Sequence, residues 1–222
     1  MEVLPFHSTR GCLSYLVIDP ASREAALIDP SEEIADATYL SALSEQGATL
    51  VYIIETHTHA DHVSSAPRLK EATGASIVRH LHAPSPKKDV SVTGGESLPL
   101  GTSSLRILAT PGHTDESISI LLDDAVFTGD ALLIGGTGRT DFQLGNSEAL
   151  YESLHTILAE LPGDTIVYPA HDYNGQTSST IGQEKLTNPR FLLGRDNFIE
   201  TMNAHHPPTP ELFKEAISVN SQ

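Results

Sequence analysis

The sequence predicts an α/β fold, with β-sheets packed together and helices on their outer faces. Three observations predict it. Apolar runs of strand length alternate with amphipathic stretches in the order strand, strand, helix, strand, and that logic recurs in the second half. Histidine and aspartate collect just past the ends of the apolar runs, where strand ends hold backbone rigidly. The 222 residues contain no low-complexity tract and no sharp linker, so they are expected to form one domain, 1–222.

Leu13–Ile18 and Ala25–Ile28 read as strands joined by the turn Asp19-Pro20-Ala21-Ser22. Asp29-Pro30-Ser31 caps a helix expected over Glu32–Glu45, with an acidic start and Gly47 as its stop. Leu50–Ile54 reads as a buried strand, and a helix near Ala66–Ala72 ends at Gly74. Ile77-Val78, Leu105–Leu108, Ile118–Leu122 and Ala125–Phe127 read as further strands. Glu148–Leu161 reads as one amphipathic helix, because Ala149, Leu150, Leu154, Ile157, Leu158 and Leu161 recur near helical spacing. Thr165–Tyr168 is a strand, followed by helices near Ile181–Leu186, Arg195–Asn203 and Pro210–Ile217, with Pro207-Pro208 separating the last two.

Composition excludes several classes of function. A formal charge of -16, from 13 basic and 29 acidic residues, argues against nucleic acid or an anionic membrane as partner. No apolar run reaches the roughly 20 residues of a membrane helix. Met1–Arg10 lacks the basic start and apolar core of a secretory signal, and it does not read as a transit peptide. The one cysteine, Cys12, cannot form an internal disulfide and sits in an apolar run, so it is expected to pack as a small hydrophobe. A reducing compartment, the cytoplasm, is the expected location.

The chemistry concentrates in Thr56-His57-Thr58-His59-Ala60-Asp61-His62, directly after the Leu50–Ile54 strand. Imidazole and carboxylate are ligands of divalent transition metals. Four more apolar runs lead into candidate groups: Thr110-Pro111-Gly112-His113, Thr128-Gly129-Asp130, Pro169-Ala170-His171-Asp172-Tyr173, and Gly135-Gly136-Thr137-Gly138-Arg139-Thr140-Asp141-Phe142. Small Gly, Pro and Ala neighbours let such loops converge on one ion. The glycine-rich stretch lacks the Lys-Ser/Thr ending of a phosphate-binding loop. His80 and His82 have no carboxylate following and are expected as exposed imidazoles; His205-His206 are expected in a loop.

His57-x-His59-x-Asp61-His62, then His113, Asp130 and His171 in that order, resembles the metallo-β-lactamase superfamily. The resemblance implies a four-layer αββα sandwich. Within the superfamily, Thr128–Ile134, Gly138–Gln143 and Tyr168–Tyr173, with Arg23-Glu24-Ala25, Ile28-Asp29-Pro30 and Leu186–Arg190, resemble the ETHE1-type persulfide dioxygenases. That resemblance implies oxidation of glutathione persulfide by O₂ to sulfite and glutathione, with one non-haem Fe(II) per chain on His57, His113 and Asp130 and with a homodimeric assembly. His59, Asp61, His62 and His171 are then expected as an outer shell or a second-metal half-site. Asp61, His62, His171 and Arg139 are the catalytic candidates beyond the ligands. Arg139 is expected on a carboxylate, either that of glutathione or that of Asp141. Tyr173 resembles a glutathione contact of the glyoxalase II enzymes and could equally be a packing residue. Arg190 is a weaker candidate for the substrate, with helix capping or an ion pair as its other readings. The alternative for the whole site is a glyoxalase II-like thioester hydrolase with two metals on all seven residues. After Asp61-His62 the chain departs from the dioxygenase pattern with Val63-Ser64-Ser65-Ala66-Pro67, a difference expected to bear on the local pocket wall.

Overall fold

The computed structural model describes residues 1–222. Its first half contains β1 (Glu2–His7), β2 (Leu13–Ile18), β3 (Glu24–Ile28), α1 (Asp36–Glu45), β4 (Thr49–Ile54), α2 (Ala66–Thr73), β5 (Ser76–His80) and β6 (Val90–Val92). These strands form one sheet in the order β1-β2-β3-β4-β5-β6. β1 to β3 pair antiparallel and β3 to β6 parallel; α1 and α2 are the crossovers for β3–β4 and β4–β5, and the loop 81–89 joins β5 to β6.

The second half contains β7 (Ser97–Leu100), β8 (Ser103–Ala109), β9 (Ile118–Leu122), β10 (Ala125–Gly129), α3 (Ser147–Glu152), β11 (Ile166–Pro169), β12 (Ser179–Thr180), α4 (Ile181–Thr187), α5 (Arg195–Asn203) and α6 (Phe213–Asn220). Its sheet runs β12-β11-β10-β9-β8-β7, antiparallel except for the parallel pair β10–β11.

Side-chain alternation sorts these strands into layers. Leu13, Tyr15 and Val17 of β2 face inward, with Ala26, Ile28, Ile120, Leu122 and Phe127, and fill the space between the sheets. Leu16, Ile18, Ala25 and Leu27 face outward, where Tyr39, Leu43 and Leu69 of the helices cover them. Val126 and Val167 of the second sheet lie under Leu150, Ile181, Phe198 and Met202. The result is helix, sheet, sheet, helix. Strands buried on both faces read as unbroken apolar runs, which is why β2 to β4 stand out in the sequence. In β4 the alternation slips: Ala25 pairs with Leu50 but Ala26 pairs with Tyr52, so Val51 is the extra residue of a bulge.

Several expected boundaries shift for physical reasons. The first helix begins at Asp36, not Glu32. The Glu32 N–H donates to Val63 O, so this stretch braces the loop after the histidine motif and cannot wind. The long helix expected to Leu161 is α-helical only to Glu152, then tightens or widens through a π turn and a 3₁₀ turn to Glu160. The last helix lies three residues later than expected, at Phe213–Asn220. β1 carries Pro5, which only an edge position tolerates.

The hydroxyl of Tyr15, a fully buried side chain of β2, donates to Pro169 O of β11 at 2.6 Å and ties the sheets together just before His171. Tyr15→Phe is expected to lower stability by about 1–2 kcal/mol, because it leaves a buried carbonyl short of a donor. Urea denaturation should show the midpoint falling with an unchanged slope.

Candidate metal centre

The site forms where strands of both sheets end. His57 follows β4, His113 follows β8, Asp130 follows β10 and His171 follows β11. One donor atom from each of His57, His113 and Asp130 lies within 4.8 Å of the others. The His57 and His113 rings stand perpendicular at 4.8 Å, and His113 Nε2 is 3.6 Å from Asp130 Oδ2.

The hydrogen bonds fix which atoms face inward. Thr56 Oγ1 donates to Asp29 Oδ2 at 2.7 Å, so its proton is spent. The His57 Nδ1–H must therefore donate to Thr56 Oγ1, 3.0 Å away, which leaves Nε2 bare. Nε2 is buried and has no partner. His113 repeats the device: Nδ1–H donates to the Arg139 carbonyl at 2.8 Å and frees Nε2. Burial, with His59 and His113 nearby, pushes the His57 pKa well below its usual value and keeps the ring neutral. Two bare imidazole nitrogens and a carboxylate aimed at one point are a donor set that fits a divalent metal. The backbone leaves no slack around it. A Cβ on Gly138 would lie 2.5 Å from Asp130 O and 2.8 Å from His113 Nδ1. Gly129, at φ +54°, would collide with Thr56.

The other expected ligands separate into two further groups. His59 turns away: its Nε2 lies 3.1 Å from Asp29 Oδ1 and 3.6 Å from Glu55 Oε2, both buried. Asp61, His62 and His171 gather with Cys12. His171 donates from Nδ1 to Asp130 Oδ1 at 2.6 Å and from Nε2 to Asp61 Oδ2 at 2.9 Å. His62 Nδ1–H and the Cys12 thiol donate to the same Asp61 oxygen, at 3.1 and 3.2 Å. Burial opposes charge on all of these groups. The carboxylates outweigh it at His171, whose pKa rises well above normal, and the imidazoles outweigh it at Asp61, whose pKa falls well below normal. His171 is thus an imidazolium clasped between two carboxylates. Cys12 is buried as expected, but its thiol faces the site and does not pack as a hydrophobe.

A cleft of about 290 Å³ opens onto this centre, walled by Asp61, Arg139, Phe142, Gln143, Tyr173 and Pro207 among others. Of the two carboxylates weighed for Arg139, the structure gives Asp141: Nη2 donates to Oδ2 at 2.7 Å, and Nε bonds Oδ1 at 2.5 Å. Nη2 also donates to Pro207 O and Nη1 to Pro208 O, which leaves one Nη1 proton, and the guanidinium lies 3.8 Å above the Phe142 ring. Tyr173 is largely exposed and stacks on His171, 6.1 Å between centroids. Arg190 is not among the residues lining the cleft; its backbone N–H donates to Asn188 Oδ1 at 2.9 Å in the turn after α4. His205, expected in a loop, also lines the cleft, and His80 is buried where an exposed ring was expected. Val63–Pro67 lies behind the metal loop instead of in the cleft wall. Sequence reasoning missed Glu116, whose Oε1 accepts the Thr58 N–H at 2.6 Å, and Asn220, which reaches the loop from α6; neither carries a local signal. Gln143, whose Nε2 donates to Thr58 O at 2.5 Å, was legible only as the end of the Gly138–Gln143 segment.

Residues 8–171 match the metallo-beta-lactamase superfamily. The mitochondrial persulfide dioxygenase ETHE1 of Homo sapiens is 39% identical, over 97% of this chain and 85% of its own. The crystal structure of ETHE1 from Myxococcus xanthus superposes with a TM-score of 0.96 at 42% identity, covering 100% of this chain and 98% of that one. The hydroxyacylglutathione hydrolase of Brucella ovis is 40% identical, over 78% of this chain and 66% of its own.

Gly138→Ala should leave the fold intact by circular dichroism but weaken metal binding about 10- to 100-fold in a competition titration, as displaced ligands do. A second expectation concerns pH. The hydrogen bond from Arg139 holds the Asp141 carboxyl down to about 2, against about 3.9 in an unfolded chain. A depressed carboxylate pKa stabilises the fold fully above the unfolded value and ceases to do so as pH falls through the folded one. Asp141→Asn should therefore cost ~1 kcal/mol at neutral pH. In urea melts across pH, the gap to the wild type should close as the solution is acidified toward pH 2.

Proposed function

The chain belongs to the metallo-beta-lactamase superfamily, and within it we propose a persulfide dioxygenase that oxidises glutathione persulfide with O₂ and water to sulfite and glutathione. The observation that carries this reading is the set His57, His113 and Asp130. Two imidazoles and one carboxylate are the donor set of non-haem Fe(II) oxygenases, which keep positions free for substrate and oxygen. Ferrous iron, when held there, supplies the redox chemistry that a sulfur anion and O₂ require. The extent of the likeness supports the same reading: the dioxygenase match runs through 97% of the chain, the hydrolase match through 78%.

The chain's own groups prepare the site for an anion. His171 keeps its proton because Asp130 and Asp61 hold both ring nitrogens. It thereby offsets part of their negative charge beside the cleft. Tyr173, stacked on His171, gives the cleft a flat aromatic wall for the thiol carrier. Arg139 spends four of its five N–H groups inside the protein and keeps none paired for a two-point carboxylate contact, so it acts through others. Its carbonyl orients His113, and its guanidinium holds the Pro207-Pro208 wall. A lone thiol, buried against Asp61, suits a reducing compartment such as the cytoplasm.

One observation favours a second reading: Cys12, Asp61, His62 and His171 also bring their donor atoms within 4.8 Å. A second metal there would make a thioester hydrolase. Protein purified without oxygen is expected to hold one iron per chain, to consume O₂ with glutathione persulfide, and to leave S-lactoylglutathione intact. Two metals per chain, with thioester hydrolysis and no O₂ uptake, would refute the dioxygenase.

A further inference from the structure

The metal loop is gripped from behind by one residue of the last helix. Asn220 is 6% exposed and all of its side-chain amide is engaged. Its Oδ1 accepts the Ser64 N–H at 3.0 Å. Its Nδ2 donates to His59 O at 2.9 Å and to His62 O at 2.8 Å. Only this orientation of the amide works, because two carbonyls need donors and one N–H needs an acceptor. The bonds bracket Ala60, Asp61 and His62, the turn that presents Asp61 to His171. They are also the only side-chain hydrogen bonds made to the backbone of residues 59–64.

The helix that carries Asn220 is itself held. Ala216 and Asn220, one turn apart, form its buried face. Phe213 packs on Phe142 at 4.9 Å. The Asn220 carbonyl, at the negative end of the helix, accepts from Nη1 of the buried Arg79 at 3.2 Å. A buried guanidinium on a helix terminus and a saturated amide on the metal loop make a continuous linkage from β5 through α6 to the centre.

We infer that Asn220 is a positioning residue for the metal centre: it fixes the His59–Ser64 backbone, and through Asp61 and His171 it fixes Asp130. Asp61 and Asp130 share the two nitrogens of His171, so a shift of the Asp61 turn moves the ligand carboxylate. The inference needs a metal in the centre but not any particular reaction there, so it stands or falls apart from the proposed activity.

Asn220→Ala and Asn220→Asp separate hydrogen bonding from packing. Aspartate keeps the size and the acceptor for Ser64 but turns lone pairs onto two carbonyls. The full chain is loaded with Co(II), and two quantities are read: the visible ligand-field spectrum and the rate of metal release to a chelator. Both variants should release Co(II) at least about tenfold faster than the wild type, as loss of outer partners does. Aspartate should be the faster, with an altered spectrum. Ala216→Gly serves as control, since it weakens the same helix without touching the loop. Wild-type spectra and release rates in the Asn220 variants would overturn the inference. So would an equal acceleration in Ala216→Gly, or a milder effect of aspartate than of alanine. Hydrogen exchange on the loaded wild type decides the matter if the variants do not fold. The Ser64 amide should then exchange together with the amides of α6, and its exchange while α6 stays protected would overturn the inference.

Discussion

The structure depends on satisfying one irregular, buried stretch of backbone. Residues 55–65 leave β4 and run under the rim of both sheets, so they have no ladder of strand partners. A buried peptide group without a partner costs as much as a lost hydrogen bond, and this stretch would carry many. Side chains from distant elements take the place of a neighbouring strand. Asp29 accepts the Thr56 N–H, Glu116 accepts that of Thr58, Gln143 donates to Thr58 O, and Asn220 closes the far end. Two of these are carboxylates that receive backbone donors, and two are amides that can face carbonyls. The polarity of each partner follows from the group it must match.

The same bonds set the chemistry. Asp29 is both a backbone acceptor and the start of the relay through Thr56 that bares His57 Nε2. It also faces His59 Nε2, so one carboxylate presents one histidine to the centre and holds another aside. The second sheet does this with its carbonyls and glycines: the Arg139 carbonyl orients His113, and Gly138 lets that loop close against Asp130. A chain with a formal charge of -16 thus places a buried imidazolium beside its cleft by clasping His171 between two carboxylates.

Most of this arrangement was legible where the signal is local. Strands buried on both faces announce themselves as apolar runs, and His57, His113, Asp130 and His171 each stand just past one. The resemblance of the motifs supplied the layer count, which periodicity alone does not give. What was hidden is what depends on distance in space. β1 carries a proline, and β6 and β12 span three and two residues, too short to show a period. Nothing around His59 says that it will turn toward Asp29 and not join His57, since its direction is set by a residue thirty positions upstream. Cys12 looked like core because its neighbours are core, yet its own thiol reaches Asp61. The solitary Asn220, at the end of an ordinary amphipathic helix, has no spacing or motif to mark it.

The order in which these partners occur along the chain bears on how the centre forms. The histidine loop comes early, but its partners lie at residues 116, 143 and 220, up to 161 positions away in the last case. Loop-closure entropy must be met before such contacts can repay it. The first sheet can assemble from its own neighbours, because β1 through β6 pair in sequence order. The loop it carries cannot settle until the second sheet has docked through Tyr15 and the inner core and α6 has closed against it. The geometry of the candidate ligands therefore rests on contacts between segments far apart in the chain. A mutation in any element that supplies a partner to this loop removes a hydrogen bond from the backbone that presents the candidate ligands.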